Sequence, residues 1–181
     1  GQIAVRSTLG QGTTFSVTIP FDASEAPLPE PEHSDAEPLP LNGRQILLAE
    51  DNLLNMEIAT ELLKMRGAEV TPAEDGRVAL EAFQGSEPFF FDAVLMDMQM
   101  PNMDGCESTQ AIRALDRPDA KAVPIIALTA NAFAEDITRT TQAGMNAHLA
   151  KPINIEQLCG TLTKLMSECG RVKKTPPMKG E

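Results

Sequence analysis

Five side chains in this 181-residue sequence have the types that phosphoryl and metal chemistry needs: Glu50, Asp51, Asp97, Thr129 and Lys151. Lys151 is followed by Pro152. Each stands at or just past the end of a short apolar run, and together they could share one crevice. A lone acid at such a place ordinarily caps the helix that follows. Asp97 suits that role poorly, because Pro101 follows too closely for a helix to begin there. If the carboxylates do converge, two of them ~5 Å apart repel by ~3 kcal/mol at an effective dielectric of 20. A third, with Lys151 as the sole cation to offset the set, drives one pKa upward unless a metal ion is present. Hard carboxylate oxygens with room for water suit Mg²⁺, or Mn²⁺, which completes its shell with waters and phosphate. The arrangement expected is an acid pocket for a divalent cation and a phosphoryl group.

The elements that must position these groups follow from hydrophobic periodicity. Apolar runs at Ile46–Ala49, Val70–Ala73, Ala93–Met96, Ile125–Leu128 and Ala147–Ala150 read as strands, each followed by a helical pattern. The first helix carries Leu54, Ile58, Leu62 and Met65 on one face and stops at Gly67; the fourth stops at Gly144. The second runs through Val78, Leu80, Ala82 and Phe83, and the third covers about Gly105 to Leu115. The last carries Ile155, Leu158, Leu162 and Leu165, with Asn154 as its N-cap. Strict strand–helix alternation predicts an α/β domain with a parallel sheet covered on both faces. Such sheets bind ligands beyond the carboxyl ends of their strands, where the five side chains fall.

Charge and proline content divide the rest. Residues 1–21 alternate polar and apolar in two runs around Gly10-Gln11-Gly12, which reads as a strand pair cut from something larger. Residues 22–42 are a linker: five prolines and six acids, without Lys or Arg, cannot bury enough apolar area to order themselves. His33 lies there, where the prolines deny it the helical platform of a phosphoacceptor histidine. Residues 43–168 form the folded domain and 169–181 a basic tail.

A net charge of -11 and a pI near 4.6 argue against binding nucleic acid or an anionic membrane. No apolar run approaches the ~20 residues of a membrane span, and no leader-like segment opens the chain. Cys106, Cys159 and Cys169 lack C-x-x-C spacing and read as small core residues in a reducing compartment. Glycine-rich cradles for dinucleotides or triphosphates are missing, His148 has no companion at zinc-ligand spacing, and no serine sits on a sharp strand-to-helix turn.

Ala49-Glu50-Asp51-Asn52, the run from Met96 to Gly105 (MDMQMPNMDG), Thr129-Ala130 and Lys151-Pro152 together resemble a response-regulator receiver domain, over residues 44 to about 167. The resemblance implies a flavodoxin-like five-stranded sheet of order 2-1-3-4-5. It implies Asp97 as phosphoacceptor, Asp51 and Asp97 as Mg²⁺ ligands with the backbone carbonyl of Gln99, and Glu50 acting through a metal-bound water. It also implies that Lys151, aimed by a cis bond before Pro152, pairs with the phosphoryl oxygens, and that Thr129 hydrogen-bonds them and moves with them. Gln99 and Asn131 would influence the phosphoryl lifetime. The switch position three residues before the lysine, usually aromatic, is His148. A histidine that toggles and a plain half-buried surface histidine are both open there.

Residues 1–21 resemble the last strands of a histidine-kinase ATP-binding domain, so the chain looks like the C-terminal piece of a hybrid histidine kinase without the parts that hold ATP. The donor implied is a phosphohistidine on a kinase dimerisation domain or a histidine phosphotransfer domain, with cytoplasmic location and a parent that membrane anchoring would not contradict. Three competing classes remain. Glu50 and Asp51 would repel the phosphate of a flavin, and an aspartyl phosphatase would carry its nucleophile on the first strand rather than the third. A receiver-like interaction module that never takes phosphate is the strongest rival.

Overall fold

Seven strands and five helices are arranged as two units in the computed structural model, which describes residues 1–20, 40–129 and 134–168, with side chains of 134–137 left aside. Residues 22–39 of the expected 22–42 linker, His33, Asn131 and the tail from 169 onward therefore lie outside the described residues, whereas Leu41, within the expected linker, is fully buried in the second unit, its N–H donating to Arg66 O at 3.1 Å. One unit spans Gly1–Glu37 and the other Pro38–Glu181.

In the first unit β1 (Gln2–Thr8) and β2 (Gly12–Thr18) pair antiparallel. Ile3 faces Val17 and Val5 faces Phe15, so period-two alternation gathers the apolar side chains of the pair on one face. All four are exposed.

The second unit alternates β3 (Gln45–Ala49), α1 (Leu53–Lys64), β4 (Glu69–Ala73), α2 (Gly76–Gly85), β5 (Ala93–Asp97), α3 (Gly105–Ala114), β6 (Ile125–Thr129), α4 (Ala134–Ala143), β7 (Ala147–Ala150) and α5 (Ile155–Glu168). The five strands are parallel in the order β4-β3-β5-β6-β7, the 2-1-3-4-5 order expected. Successive residues of each central strand point to opposite faces. Leu47, Val94, Met96, Ile125 and Ala127 pack with Ala79, Phe83, Cys106 and Ile112 of α2 and α3. Ile46, Leu48, Leu95, Ile126 and Leu128 pack with Ala59, Leu63, Leu158 and Leu162 of α1 and α5. β5 and β6 are buried throughout, which explains their unbroken apolar sequences.

Helix ends follow local chemistry. Gly67 (φ +90°) and Gly144 (φ +94°) adopt the left-handed backbone that ends α1 and α4. Gly67 N–H donates to Lys64 O at 2.9 Å and Ala68 N–H to Leu63 O at 3.1 Å; Gly144 and Met145 repeat the pattern on Thr141 and Thr140. Asn154 caps α5 as expected, its Oδ1 accepting from Gln157 N–H at 3.0 Å.

The apolar stripe Leu54, Ile58, Leu62 and Met65 of α1 is not the face that packs on the sheet: Leu54, Ile58 and Met65 are exposed. The helix lies on the sheet through Ala59 and Leu63, with Met56 partly buried beside them. The short side chain of Ala59 permits close approach, and the more apolar stripe is left facing outward.

Candidate functional site

The carboxyl ends of β3, β5, β6 and β7 open into one cleft of about 430 Å³. β3 runs directly into Glu50 and Asp51, and Asn52 then caps α1, its Oδ1 accepting from the N–H groups of Leu54 and Asn55 at 3.0 and 3.1 Å. Asp97 is the last residue of β5 and Thr129 the last of β6. Lys151 follows β7, its N–H donating to Thr129 O at 2.7 Å, and the Lys151–Pro152 bond is cis.

Glu50, Asp51 and Asp97 offer carboxylate oxygens that all lie within 4.8 Å of one another. Glu50 and Asp97 are buried and Asp51 is exposed. Lys151 bridges the two buried acids, with Nζ 2.5 Å from Glu50 Oε2 and 2.7 Å from Asp97 Oδ2. Asp97 Oδ1 also accepts a long bond, 3.4 Å, from Gln99 N–H. Burial pushes the Asp97 carboxyl above its ordinary range; Lys151 opposes this by hydrogen bond and charge, and the Glu50 charge adds to it. Burial also works against the Lys151 ammonium, but its bonds to Asp97 and Glu50 outweigh that and raise its pKa.

This donor set fits a hard divalent cation. Three carboxylates converge against the single ammonium of Lys151, and one exposed side opens to water. Gln99 lines the same cleft and is itself exposed.

The loop after Asp97 is held by close packing. Asp104 caps α3 through a capping box with Glu107. At Gly105 a Cβ would stand 2.2 Å from the Asp97 carbonyl oxygen, so only glycine lets α3 start against the end of β5. Asn102 donates to buried Asp75 at 2.7 Å, tying the loop to the N-terminus of α2.

The structure thus brings Glu50, Asp51, Asp97, Gln99, Thr129 and Lys151 together. It does not bring His148 to the cleft. That half-buried residue lies opposite Ala127 in the sheet and lines a separate groove with Thr140, Thr141, Gln157 and Thr161. Two cleft residues escaped sequence reading. Asn55, in the first turn of α1, donates to Glu50 Oε1 at 3.0 Å; its position four residues after Asp51 was the available signal. Arg139 of α4 also lines the cleft, so Lys151 is not the sole cation there. Its distance along the chain from any strand end hid it.

Comparison with known proteins gives the same answer over most of the chain. The family model described as a response regulator receiver domain matches residues 46–163. A solved receiver domain of a sensor histidine kinase from Pseudomonas aeruginosa PAO1, with a magnesium ion coordinated in its active-site cleft, superposes with a TM-score of 0.63 at 39% identity. That match covers 69% of this chain and 98% of the other. The sensor protein GacS of Pseudomonas syringae pv. syringae is 40% identical over 144 residues, which is 78% of this chain and 15% of GacS. The aerobic respiration control sensor protein ArcB of Escherichia coli K12 is 36% identical over 168 residues, 91% of this chain and 20% of ArcB. The chain therefore spans a fifth or less of the length of these two curated relatives.

Proposed function

We propose, on the premise that this chain belongs to the response regulator receiver family, that Asp97 is the phosphoacceptor of a two-component phosphorelay. The observation that carries this reading is the buried Asp97 carboxylate at the mouth of the cleft, 2.7 Å from Lys151 Nζ and grouped with Glu50 and Asp51.

An Asp97 oxygen attacks the phosphorus of a phosphohistidine. The P–O bond forms as the P–N bond breaks; the electron pair leaves on the imidazole nitrogen, which takes up a proton. Little covalent chemistry is asked of the protein beyond positioning and charge stabilisation. Lys151 moves from the carboxylates to the phosphoryl oxygens, and the Thr129 hydroxyl donates to one of them. Glu50, Asp51, Asp97 and the carbonyl of Gln99 would hold Mg²⁺, or Mn²⁺, which supplies charge neutralisation on the transferring group. Gln99 and Asn131 set how readily water reaches the product. His148 reads the change from its groove between α4 and α5.

The donor is a protein-borne phosphohistidine, from a kinase dimerisation domain or a histidine phosphotransfer domain. The exposed apolar stripe of α1 supports this. Ile58 and Leu62, with Pro152 and Ile153, line a groove that also touches Glu50, Asn55 and Lys151, so a protein surface can bury them while its histidine reaches Asp97. The segment 1–21 is read as the end of a kinase ATP-binding domain, the parent as a hybrid histidine kinase and its location as cytoplasmic. Similarity to ArcB over 168 residues, well beyond the receiver match, supports the first two. Among the described residues no helix is long and apolar enough to cross a membrane.

Acetyl phosphate with Mg²⁺ tests the core of this reading. The intact chain should gain one phosphoryl mass, and Asp97→Asn should abolish the gain. A wild-type chain that binds the metal yet acquires no adduct would belong instead with interaction modules that are never phosphorylated.

A further inference from the structure

Charge balance at the cleft leaves a place for a second cation. Glu50, Asp51 and Asp97 bring three negative charges and Lys151 one positive, a deficit that one divalent ion closes. An aspartyl phosphate in place of the free carboxylate then adds about one further negative charge. Nothing in the set of four answers that increment. Arg139, the other cation lining the cleft among the described residues, does.

Arg139 lines the same cleft as Asp97 and rests on an anion at its edge. Its Nη2 lies 3.2 Å from Asp104 Oδ2, and the two side chains are 62% and 33% exposed. An ion pair so open to water contributes little and exchanges readily. Asp104 has no structural need of it, because Oδ1 alone accepts the Glu107 N–H at 2.8 Å and completes the capping box of α3. The backbone of Arg139, by contrast, is held against α3, with Cys106 Sγ 3.9 Å from its carbonyl oxygen. A fixed stem and a weakly held guanidinium fork match the planar, two-point recognition of phosphoryl oxygens.

We propose that Arg139 is the second cation of the phosphoryl site, resting on Asp104 while Asp97 is free and exchanging onto the phosphoryl oxygens once Asp97 carries the group. The inference rests on Asp97 as phosphoacceptor. The exchange itself breaks no covalent bond; the guanidinium leaves one anion for another, and Asp104 returns to solvent.

Beryllofluoride, a noncovalent mimic of the phosphoryl group, tests the proposal on the full chain with Mg²⁺, read by fluorine NMR titration. Arg139→Ala should weaken beryllofluoride binding about fivefold, as expected for a unit charge removed at the rim of a partly screened site. Arg139→Lys should recover part of the loss. Asp104→Asn retains a good N-cap but removes the competing anion, so it should bind beryllofluoride as tightly as wild type or more tightly. If the pair merely straps α3 to α4, Arg139→Ala and Asp104→Asn both cut the strap and weaken binding alike; that outcome, or wild-type affinity in Arg139→Ala, overturns the proposal. A wild-type chain that binds Mg²⁺ but no beryllofluoride overturns the phosphoacceptor reading itself, and this inference with it.

Discussion

Asp97→Asn should stabilise the domain in metal-free buffer, although it removes a residue that makes an ion pair. Glu50 lies within 4.8 Å of Asp97, which at an effective dielectric of 20 is a repulsion of at least about 3.5 kcal/mol. Asp51 is as near but exposed, and its share is screened toward about 1 kcal/mol. Lys151, at 2.7 Å, returns about 6 kcal/mol at the same dielectric. Pairwise charge thus leaves only a small margin in favour of the ionised form. Against it stands the loss of water around a carboxylate whose side chain is 8% exposed, a penalty of several kcal/mol. Burial is the largest influence on Asp97 and its pKa is raised, so the ionised acid costs stability. Asparagine removes the charge and keeps an oxygen that can accept from Lys151, which retains Glu50 at 2.5 Å.

The expected gain is about 1–2 kcal/mol, or a rise in Tm of roughly 3–7 °C for a domain of this size. Thermal melts by circular dichroism in EDTA measure it. The sign with pH follows from a folded-state pKa above the ordinary 3.8. The gap between variant and wild type is full above the raised pKa, shrinks as the wild-type acid protonates in the fold, and closes below 3.8. Added Mg²⁺ narrows it too, because wild type offers the ion one more carboxylate. A lower Tm for Asp97→Asn in EDTA near neutral pH would refute the reasoning, since Lys151 would then more than offset burial.

Two further outcomes follow, one at the cleft and one away from it. Asp51→Ala should weaken Mg²⁺ binding, measured calorimetrically, by tenfold or more, whereas Gln99→Ala keeps its backbone carbonyl and should change it little; equal effects break that ligand assignment. At the far end of the domain, Arg117 pairs with fully buried Asp119 through Nε and Nη2, both at 3.0 Å, and also caps the carbonyls of Phe83, Ser86 and Glu87. Burial pushes Asp119 up, but Arg117 and the Phe89 N–H outweigh it and hold the acid below its ordinary range. Its contribution to stability is therefore present above 3.8 and lost as pH falls through the lower folded-state value. Arg117→Ala should cost about 3–5 kcal/mol by urea titration near neutral pH, the usual result of leaving a buried charge unpaired.

What the sequence disclosed depends on how local each cause is. The strand ends at Glu50, Asp97, Thr129 and Lys151 and the stops at Gly67 and Gly144 are legible because residue type and backbone conformation act within a few residues. Strand order is not local, and it came from resemblance rather than periodicity. That the apolar stripe of α1 faces outward was not legible, because periodicity reports a face without saying what covers it; Leu54, Ile58 and Met65 satisfy a helix pattern whether sheet, partner or water lies against them. Arg139 and Asn55 were invisible for the opposite reason. Each is an ordinary polar residue in a helix, and only the crossing of that helix over the strand ends brings it to the acids.

The placement of His148 constrains how a change at Asp97 can be read out. The histidine lines its groove on the flank of β7, while Lys151 and the acids occupy the cleft beyond the strand's end. His148 lies three positions before Lys151, which stands just past the end of β7. The elements that connect the two are β7, its neighbour β6, and α4, whose Arg139 lines the cleft while its Thr140 and Thr141 line the groove. β6 ends in Thr129, whose carbonyl takes the Lys151 N–H at 2.7 Å, and it carries Ala127 directly opposite His148. On the proposed phosphoacceptor role of Asp97, a shift of Thr129 and Lys151 toward the phosphoryl group would draw on both strands at once, so the edge β6–β7 would join α4 in carrying the change to His148 without a direct contact between His148 and the site.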